Sequence, residues 1–120
     1  MEDLILIVDD ARFARRIETK ALQDAGFEHI VEAKTAKEAL QIFEEQAPEL
    51  TLLDITLPDN SDLLRTMIKI RPEAKIVMNS AIGQELIIQD ALNAGARDFI
   101  TKPFKEKEFI EKIVKVMKGN

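Results

Sequence analysis

The stretch Leu4-Ile5-Leu6-Ile7-Val8-Asp9-Asp10 consists of five consecutive apolar residues followed by two aspartates. The apolar run is too short for a buried helix and is rich in β-branched residues, so it is predicted to be a strand buried on both faces. A strand of this kind belongs to a parallel sheet that helices cover on both sides. The stretch therefore predicts a layered α/β domain whose first strand ends in carboxylates.

The remaining sequence alternates between short apolar runs and helical patterns. Five strands are predicted, at residues 4–8, 29–33, 50–53, 75–78 and 98–101, and five helices at residues 11–25, 35–47, 61–70, 84–94 and 106–118. Parallel strands need crossover connections, which are right-handed. The pattern predicts a single domain over residues 1–120, with a five-stranded parallel sheet and helices on both faces.

Two of the helices carry signals that the structure can test. The first has apolar residues at helical spacing, which are expected to form the core or the wall of a pocket: Phe13, Ala14, Ile17, Ala21 and Leu22. The second is preceded by Thr35, which is predicted to be its N-cap because Glu38 stands at the position of a capping box.

The composition limits the functions that the chain can have. Its 17 basic and 22 acidic residues give a net charge of −5 without a basic run, which argues against nucleic acid as a ligand. Cysteine is absent, so disulfides and thiolate metal sites are excluded. The longest apolar stretch, residues 4–8, is too short to span a bilayer and follows two acidic residues. No secretory signal or membrane association is indicated, so a cytoplasmic location is expected.

Polar residues of complementary chemistry stand where the predicted strands end. Asp9 and Asp10 end the first strand, Asp54 the third, Asn79-Ser80-Ala81 the fourth and Thr101-Lys102-Pro103 the fifth. Ligands of open parallel sheets bind beyond the carboxyl ends of the strands. If the first and third strands are neighbours, at a spacing of roughly 4.8 Å, the three aspartates converge.

Three carboxylates gathered in this way repel one another and require a cation. Mg²⁺ fits, since it takes one or two carboxylates together with water and phosphate oxygens. Asp9 and Asp10 suit metal binding, and Lys102 and the Ser80 hydroxyl add a positive charge and a hydrogen-bond donor. Asp54 is the expected nucleophile in a phosphoryl transfer, because carboxylates accept phosphoryl groups and catalysis of this reaction is mainly positioning and charge neutralisation.

Each of these signals has a simpler explanation when it is taken alone. An Asp-Asp pair before a helix is often only an N-cap, an aspartate at a strand end is often a turn former, and Lys-Pro often only ends an element. These explanations do not account for acids at two strand ends together with a hydroxyl and a lysine at two others. The combination therefore favours a phosphoryl site.

The chain resembles the receiver domains of bacterial two-component response regulators over nearly its whole length. The resemblance rests on four segments in this order and spacing: Leu6-Ile7-Val8-Asp9-Asp10, Leu53-Asp54-Ile55-Thr56-Leu57-Pro58, Asn79-Ser80-Ala81, and Ala94-Gly95-Ala96-Arg97-Asp98-Phe99-Ile100-Thr101-Lys102-Pro103-Phe104. It implies a flavodoxin-like, doubly wound fold with the strand order 2-1-3-4-5. It also implies a switch that a histidine kinase phosphorylates on Asp54, with no catalytic activity beyond its own phosphorylation and dephosphorylation.

The resemblance further implies a role for each site residue. Mg²⁺ would be held by Asp10, Asp54 and the backbone carbonyl of Thr56, with Asp9 assisting through water. Lys102 and Ser80 would contact the phosphoryl oxygens. Ser80 would then move toward the phosphate while Phe99 turns inward, and the face formed by the fourth helix, fifth strand and fifth helix would bind a partner protein.

Within the family, residues 80–84 resemble the free-standing chemotaxis regulators, which implies the flagellar motor switch as an effector. A relay regulator, or a receiver that is part of a longer protein, fits a sequence of this length equally well. Two positions depart from the family's pattern. Ser61-Asp62 stands in place of the usual Asp-Gly pair, and Ser61 is expected to cap the third helix. Phe99 replaces the tyrosine often found at its position, so a switch contact through that hydroxyl is absent.

Three alternative functions share parts of this pattern. A haloacid-dehalogenase-type phosphatase also uses an aspartate, Mg²⁺ and a lysine, but it needs a second acid two residues after the nucleophile, where Thr56 stands. A flavodoxin-like electron carrier needs a hydroxyl-rich loop after the first strand and aromatic residues around its flavin, and this chain has no Trp or Tyr. A receiver that acts without phosphate, purely as an interaction module, is the remaining alternative. The residues of the complete site argue against it: Asp10, Asp54, Ser80 and Lys102.

Overall fold

The computed structural model describes residues 4–119 of the 120-residue chain. Strands and helices alternate along the chain. The strands are β1 (Ile5–Val8), β2 (Ile30–Ala33), β3 (Leu50–Asp54), β4 (Ile76–Ala81) and β5 (Asp98–Lys102). The helices are α1 (Arg12–Asp24), α2 (Ala36–Gln46), α3 (Asn60–Ile70), α4 (Glu85–Ala94) and α5 (Glu106–Met117).

The five strands form one parallel sheet in the order β2-β1-β3-β4-β5. The register aligns Val8 with Leu53 and Asp54 with Asn79, so the carboxyl ends of the central strands lie level with one another. The strand order reverses between β1 and β3, which is where an open sheet of this kind forms its binding crevice. The predicted α/β, doubly wound, flavodoxin-like fold is confirmed.

Alternate residues of the strands supply two separate apolar layers, as a sheet covered on both faces requires. Helices α2, α3 and α4 cover one face, and the layer there includes Leu6, Val8, Leu53, Met78, Phe43 and Met67. Helices α1 and α5 cover the other face, and that layer includes Ile5, Ile7, Leu52, Val77, Leu22, Phe109 and Ile113. Each fully buried side chain of this size contributes about 1.5–3 kcal/mol to folding, so both layers hold the helices against the sheet.

Helix α2 begins as the sequence predicts. The Thr35 hydroxyl accepts a hydrogen bond from the backbone N–H of Glu38 at 3.1 Å, which confirms Thr35 as the N-cap. The Glu38 carboxylate accepts from the backbone N–H of Lys34 at 3.0 Å, so two donors at the start of the helix are paired.

Strand β4 extends three residues further than the prediction for residues 75–78. Asn79, Ser80 and Ala81 lie in the strand because β5 continues to pair with them, Ser80 aligning with Thr101 and Ala81 with Lys102. Asn79 and Ser80 are therefore buried rather than exposed in a loop.

The prediction that Ser61 caps α3 is wrong. The N-cap residue is Asp59, in the left-handed conformation with φ 63°, and its side chain makes no capping hydrogen bond. The Asn60 side chain instead fastens the preceding loop by donating to the carbonyl oxygens of Ile55 at 2.6 Å and Leu57 at 3.2 Å. This loop starts the helix one residue earlier than predicted.

Of the two placements predicted for the apolar side of α1, Phe13 and Ile17 take the wall of a pocket, beside Lys102 and Phe104, and not the core. Phe13 is 76% exposed and Ile17 is 44% exposed. The side of α1 that faces the sheet is centred on Glu18, Ala21 and Leu22, which are all buried.

No helix within residues 4–119 is both long enough and apolar enough to span a bilayer.

Candidate functional site

Three aspartates meet at the carboxyl ends of β1 and β3. A carboxylate oxygen from each of Asp9, Asp10 and Asp54 lies within 4.8 Å of the other two. Asp9 and Asp54 are buried, whereas Asp10 is exposed at the mouth of the site. The predicted convergence of these acids is confirmed, and it follows from the adjacency of β1 and β3 in the sheet.

Lys102 at the end of β5 reaches both buried acids. Its Nζ donates a hydrogen bond to Asp9 Oδ2 at 3.1 Å and lies 3.7 Å from Asp54 Oδ2. Burial lowers the pKa of Lys102, but the hydrogen bond to Asp9 and the charges of the nearby carboxylates outweigh it and raise the pKa above its ordinary value. Lys102 is therefore a fixed positive charge at the site.

Both carboxylate oxygens of Asp54 accept hydrogen bonds from Thr56, two residues further along the chain. The backbone N–H of Thr56 donates to Oδ1 at 2.9 Å and its hydroxyl donates to Oδ2 at 2.9 Å. Burial raises the pKa of Asp54 above its ordinary value, although these hydrogen bonds and the charge of Lys102 act in the opposite direction. The carboxylate is thus oriented by its own loop, at the floor of the acidic cluster.

Asp9 is held by the start of α1. Its Oδ1 accepts from the backbone N–H of Ala11 at 2.8 Å, and its carbonyl oxygen accepts from Arg15 Nη1 at 2.6 Å. Arg15 also forms an ion pair with Glu32 on β2 at 2.8 Å. These contacts fix the end of β1 and leave Asp9 Oδ2 directed to Lys102.

The structure does not bring the Ser80 hydroxyl to the acids. Ser80 is fully buried, and its Oγ donates to the carbonyl oxygen of Ile100 on β5 at 3.4 Å. Phe99 is half-buried and packs against the layer under α2, α3 and α4. The Lys112 ammonium lies 4.6 Å from the centroid of the Phe99 ring and donates to the Phe99 carbonyl oxygen at 2.8 Å.

The sequence analysis missed Glu18, and it placed Asn79 at a strand end without giving it a role. Glu18 of α1 and Asn79 of β4 are each 1% exposed, and Asn79 Nδ2 donates to Glu18 Oε2 at 2.8 Å. A signal for Glu18 was present, because it lies four residues after Ala14 and four before Leu22 and therefore on the same side of the helix. Acidic residues are rarely buried in a core, so a search for apolar residues at helical spacing does not identify Glu18.

The donor set at the strand ends fits a hard divalent cation. Three carboxylates face the single ammonium group of Lys102, so negative charge is in excess. All the ligand atoms that the acids offer are oxygens, which Mg²⁺ and Ca²⁺ prefer. The exposed Asp10 gives such an ion a route from solvent.

The chain belongs to the response regulator receiver domain family, whose model matches residues 5–114. It is similar to the chemotaxis protein CheY of Thermotoga maritima, with 40% identity over 116 residues that make up 95% of this chain and 97% of that protein. It is equally similar to CheY of Bacillus subtilis, with 40% identity over 119 residues, 98% of this chain and 99% of that protein. The fold is thus that of a CheY-like receiver domain, a class of signalling module that is generally not enzymatic.

Solved structures agree with this assignment. The receiver domain of NtrX from Brucella abortus has a TM-score of 0.92 and 35% identity, covering 97% of this chain and 99% of that domain. A CheY-like receiver domain protein from Methanospirillum hungatei has a TM-score of 0.91 and 32% identity, covering 99% of this chain and 96% of that one. In a longer NtrX chain from Brucella abortus, with a TM-score of 0.94 and 34% identity, this chain spans 27% of the length.

Proposed function

We propose that this chain is a phosphorylation switch of a two-component system, in which a histidine kinase passes a phosphoryl group to Asp54. Residues 1–120 act in this proposal as one receiver domain. The observation that carries it is the geometry around Asp54, which has two other acids within 4.8 Å and the Lys102 ammonium at 3.7 Å. An acid placed in this way has both a means of binding a cation and a fixed charge to meet an incoming phosphoryl group.

The proposed reaction is an in-line phosphoryl transfer. A carboxylate oxygen of Asp54 forms a bond to phosphorus while the bond between phosphorus and the donor's nitrogen or oxygen breaks, and the donor keeps that electron pair. Lys102 then neutralises one oxygen of the transferred group. Thr56 holds the Asp54 carboxylate through two hydrogen bonds at 2.9 Å before the reaction, so the attacking group is already oriented.

We assign the cation site to Asp10, Asp54 and the Thr56 backbone carbonyl, with Asp9 acting through water. A bound Mg²⁺ would supply charge neutralisation for the carboxylates and for the phosphoryl oxygens. In this assignment Asp9 keeps its hydrogen bonds from Ala11 and from Lys102 and acts on the ion through a water molecule. The Asp10 carboxylate is exposed and therefore remains available to bind the ion directly.

The switch that we propose starts at Ser80 and ends at a partner-binding surface. Ser80 Oγ exchanges its 3.4 Å contact with Ile100 for a contact with the phosphoryl group, and Phe99 turns inward beside it. The affected surface is that of α4, β5 and α5. Exposed apolar side chains near the start of α4 support a protein effector there: Ile82 is 80% exposed and Leu86 is 84% exposed.

The effector class is suggested by the relatives. The curated chemotaxis proteins named above match this chain over nearly their whole lengths. We therefore propose a chemotaxis-type effector such as the flagellar motor switch, and neither nucleic acid nor a membrane as a direct ligand. Thr56 occupies the position where a haloacid-dehalogenase-type phosphatase needs its second acid, which favours a switch over a phosphatase.

The proposal is tested by incubating the protein with Mg²⁺ and an acyl phosphate, which replaces the kinase as donor. Intact-mass spectrometry is expected to show one added phosphoryl group in wild type and none in Asp54→Asn. Asp59→Asn, in the same loop, is the matched control and is expected to behave as wild type. No mass change with any donor would favour a phosphate-independent interaction module, and sustained hydrolysis of many phosphoester molecules per chain would favour a phosphatase.

A further inference from the structure

Glu18 is a fully buried acidic residue that the proposed function leaves without a role. It lies in the middle of α1 and faces the sheet between Ala14 and Leu22, with 1% of its surface exposed. Glutamate is almost never buried to this extent without a partner, because the charged form loses its hydration. Its retention in the apolar layer therefore needs a specific explanation.

Among residues 4–119, the Glu18 carboxyl group has a hydrogen-bond partner in the Asn79 side chain of β4. Asn79 Nδ2 donates to Glu18 Oε2 at 2.8 Å, which joins the carboxyl group to the amide group. The second oxygen of each group, Glu18 Oε1 and Asn79 Oδ1, is buried and has no hydrogen-bond partner among residues 4–119. Two unpaired acceptors on side chains that already share one hydrogen bond would be a costly arrangement.

A proton on Glu18 Oε1 would give both unpaired oxygens, Glu18 Oε1 and Asn79 Oδ1, a hydrogen-bond partner. A protonated carboxyl group carries one O–H donor, and an amide offers one acceptor oxygen and one N–H₂ donor group. The O–H of Glu18 would donate to Asn79 Oδ1 while Asn79 Nδ2 donates to Glu18 Oε2. The two planar groups would then form a closed ring with two hydrogen bonds, in which both unpaired oxygens gain a partner.

The charged groups that influence Glu18 belong to residues in, or just after, strands β1, β2, β3 and β5. Burial is the largest influence and raises the pKa of Glu18 to about 8. Lys102 on β5 lowers the pKa, whereas the carboxylates of Asp9 just after β1, Asp54 on β3 and Glu32 on β2 raise it. The surroundings of Glu18 thus agree with a neutral carboxyl group at physiological pH.

The pair lies directly against the acidic site. Asn79 is aligned with Asp54 in the sheet and immediately precedes Ser80. Glu18 and Lys102 line the same cavity of about 420 Å³, between α1 and the loop after β5. The Glu18–Asn79 pair therefore connects α1 to the end of β4 that carries Ser80.

We propose that Glu18 is a positioning residue of the phosphoryl site: it carries a proton on Oε1, pairs with the Asn79 amide through two hydrogen bonds, and so fixes the end of β4 that presents Ser80. The pairing of Glu18 with Asn79 is argued from the structure and does not depend on the proposed function. The part that concerns phosphorylation rests on the function proposed above.

The protonated acid is tested by infrared spectroscopy of the metal-free protein, buffered well below pH 8. The difference spectrum between wild type and Glu18→Gln is expected to contain the carbonyl band of a protonated carboxylic acid. A glutamine amide pairs with Asn79 through the same two hydrogen bonds, so this comparison needs no variant that disrupts the core. If the band is missing, Glu18 is ionised and the proposal is overturned.

The positioning role is tested by comparing Glu18→Gln with Glu18→Met, which leaves the Asn79 amide unpaired. The backbone amide resonance of Ser80 is expected to stay in place in E18Q and to move in E18M. Phosphorylation by an acyl phosphate with Mg²⁺ is expected to stay within about twofold of wild type in E18Q and to slow by about tenfold or more in E18M.

The outcomes separate this inference from the proposed function. If wild type takes up no phosphoryl group, the proposed function fails, and the pair is judged by the infrared band and the Ser80 resonance. If E18M leaves the Ser80 resonance unchanged, or if E18Q disturbs it as much as E18M, the positioning role is overturned. Should E18M fail to fold, Glu18→Leu replaces it, since leucine also offers the Asn79 amide no partner and is expected to give the same shift.

Discussion

Lys102 is the residue on which the balance of charge at the site depends. It lies within 4 Å of Asp9 and Asp54, so it stabilises two carboxylates that otherwise repel each other. A bound divalent cation would supply the same compensation. Lys102 and the cation are therefore partly redundant in stabilising the fold, even though their roles in the proposed phosphoryl transfer differ.

Replacing Lys102 with Met is expected to lower the thermal stability of the metal-free protein at neutral pH and to enlarge the stabilisation that Mg²⁺ provides. Thermal unfolding with and without Mg²⁺ measures both effects. Lys105→Met, at an exposed position three residues away, is the control and is expected to change neither. An equal Mg²⁺ response in K102M and wild type would show that Lys102 does not compensate the acids.

Glu18 gives the protein a dependence of stability on pH. Its pKa is raised from 4.5 to about 8 in the folded state, so between these values the folded protein binds one more proton than the unfolded protein. The stabilising contribution is fully present below pH 4.5 and is lost as the pH rises toward 8, with a slope of at most about 1.4 kcal/mol per pH unit.

Glu18→Gln is expected to remove this slope. Chemical denaturation of both proteins across the interval from pH 4.5 to 8 measures the difference. The stability of E18Q relative to wild type should increase steadily with pH, because other ionisable groups contribute equally to both. Parallel curves would contradict the raised pKa.

The loop between β3 and α3 is the element in which this chain departs most clearly from the pattern expected for its family. Asp59 adopts the left-handed conformation that glycine favours, with φ 63° and ψ 22°, and Asn60 ties the loop to the carbonyls of Ile55 and Leu57. Aspartate tolerates this conformation better than most residues. The turn is thus made earlier in the loop than at Ser61-Asp62, where the Asp-Gly pair was expected.

Asp59→Gly is expected to raise the free energy of unfolding by a few tenths to about 1 kcal/mol, because it relieves the left-handed backbone at an exposed site. Arg65→Gly, at an exposed position inside α3, is the control and is expected to lower it by about 1 kcal/mol. Denaturant unfolding measures both values. A loss of stability in D59G similar to that in R65G would show that the loop is unstrained.

At the scale of the whole molecule, the strand order brings together residues that are far apart in sequence. Asp9 and Lys102 are separated by 93 positions, yet their side chains are 3.1 Å apart. A cation at this point binds only the folded chain, because the acids gather only when β1 and β3 are adjacent. Cation binding and folding are therefore linked.

Mg²⁺ is expected to stabilise the folded protein by about 1.4 kcal/mol for each tenfold increase in concentration above its dissociation constant. Asp10→Asn should weaken this dependence, since it removes the exposed ligand. Asp90→Asn, at an exposed position on α4, is the control and should leave it unchanged. A wild-type stability independent of Mg²⁺ would contradict the cation site.

The fold and the convergence of the acids could be predicted because both follow from local patterns. Apolar runs identify strands, and the residues that end parallel strands share one edge of the sheet, so Asp9, Asp10 and Asp54 were placed together correctly. The Glu18–Asn79 pair could not be predicted, because the sequence does not show which residue of β4 a given residue of α1 contacts. The sequence left open whether Phe13 lies in the core or in the wall of a pocket, because apolar spacing defines a side of α1 without showing which residues lie at the centre of that side. The functional roles of the site residues remain predictions.

The measurement that most directly tests the central claim is a chemical map of the phosphorylated residue. After treatment with an acyl phosphate and Mg²⁺, borohydride converts an acyl phosphate on an aspartate side chain to homoserine, which peptide mass spectrometry locates. We expect homoserine at position 54 alone, and none when Mg²⁺ is removed. Homoserine at position 9 or 10, or an unmodified Asp54 in a protein that carries phosphate, would contradict it.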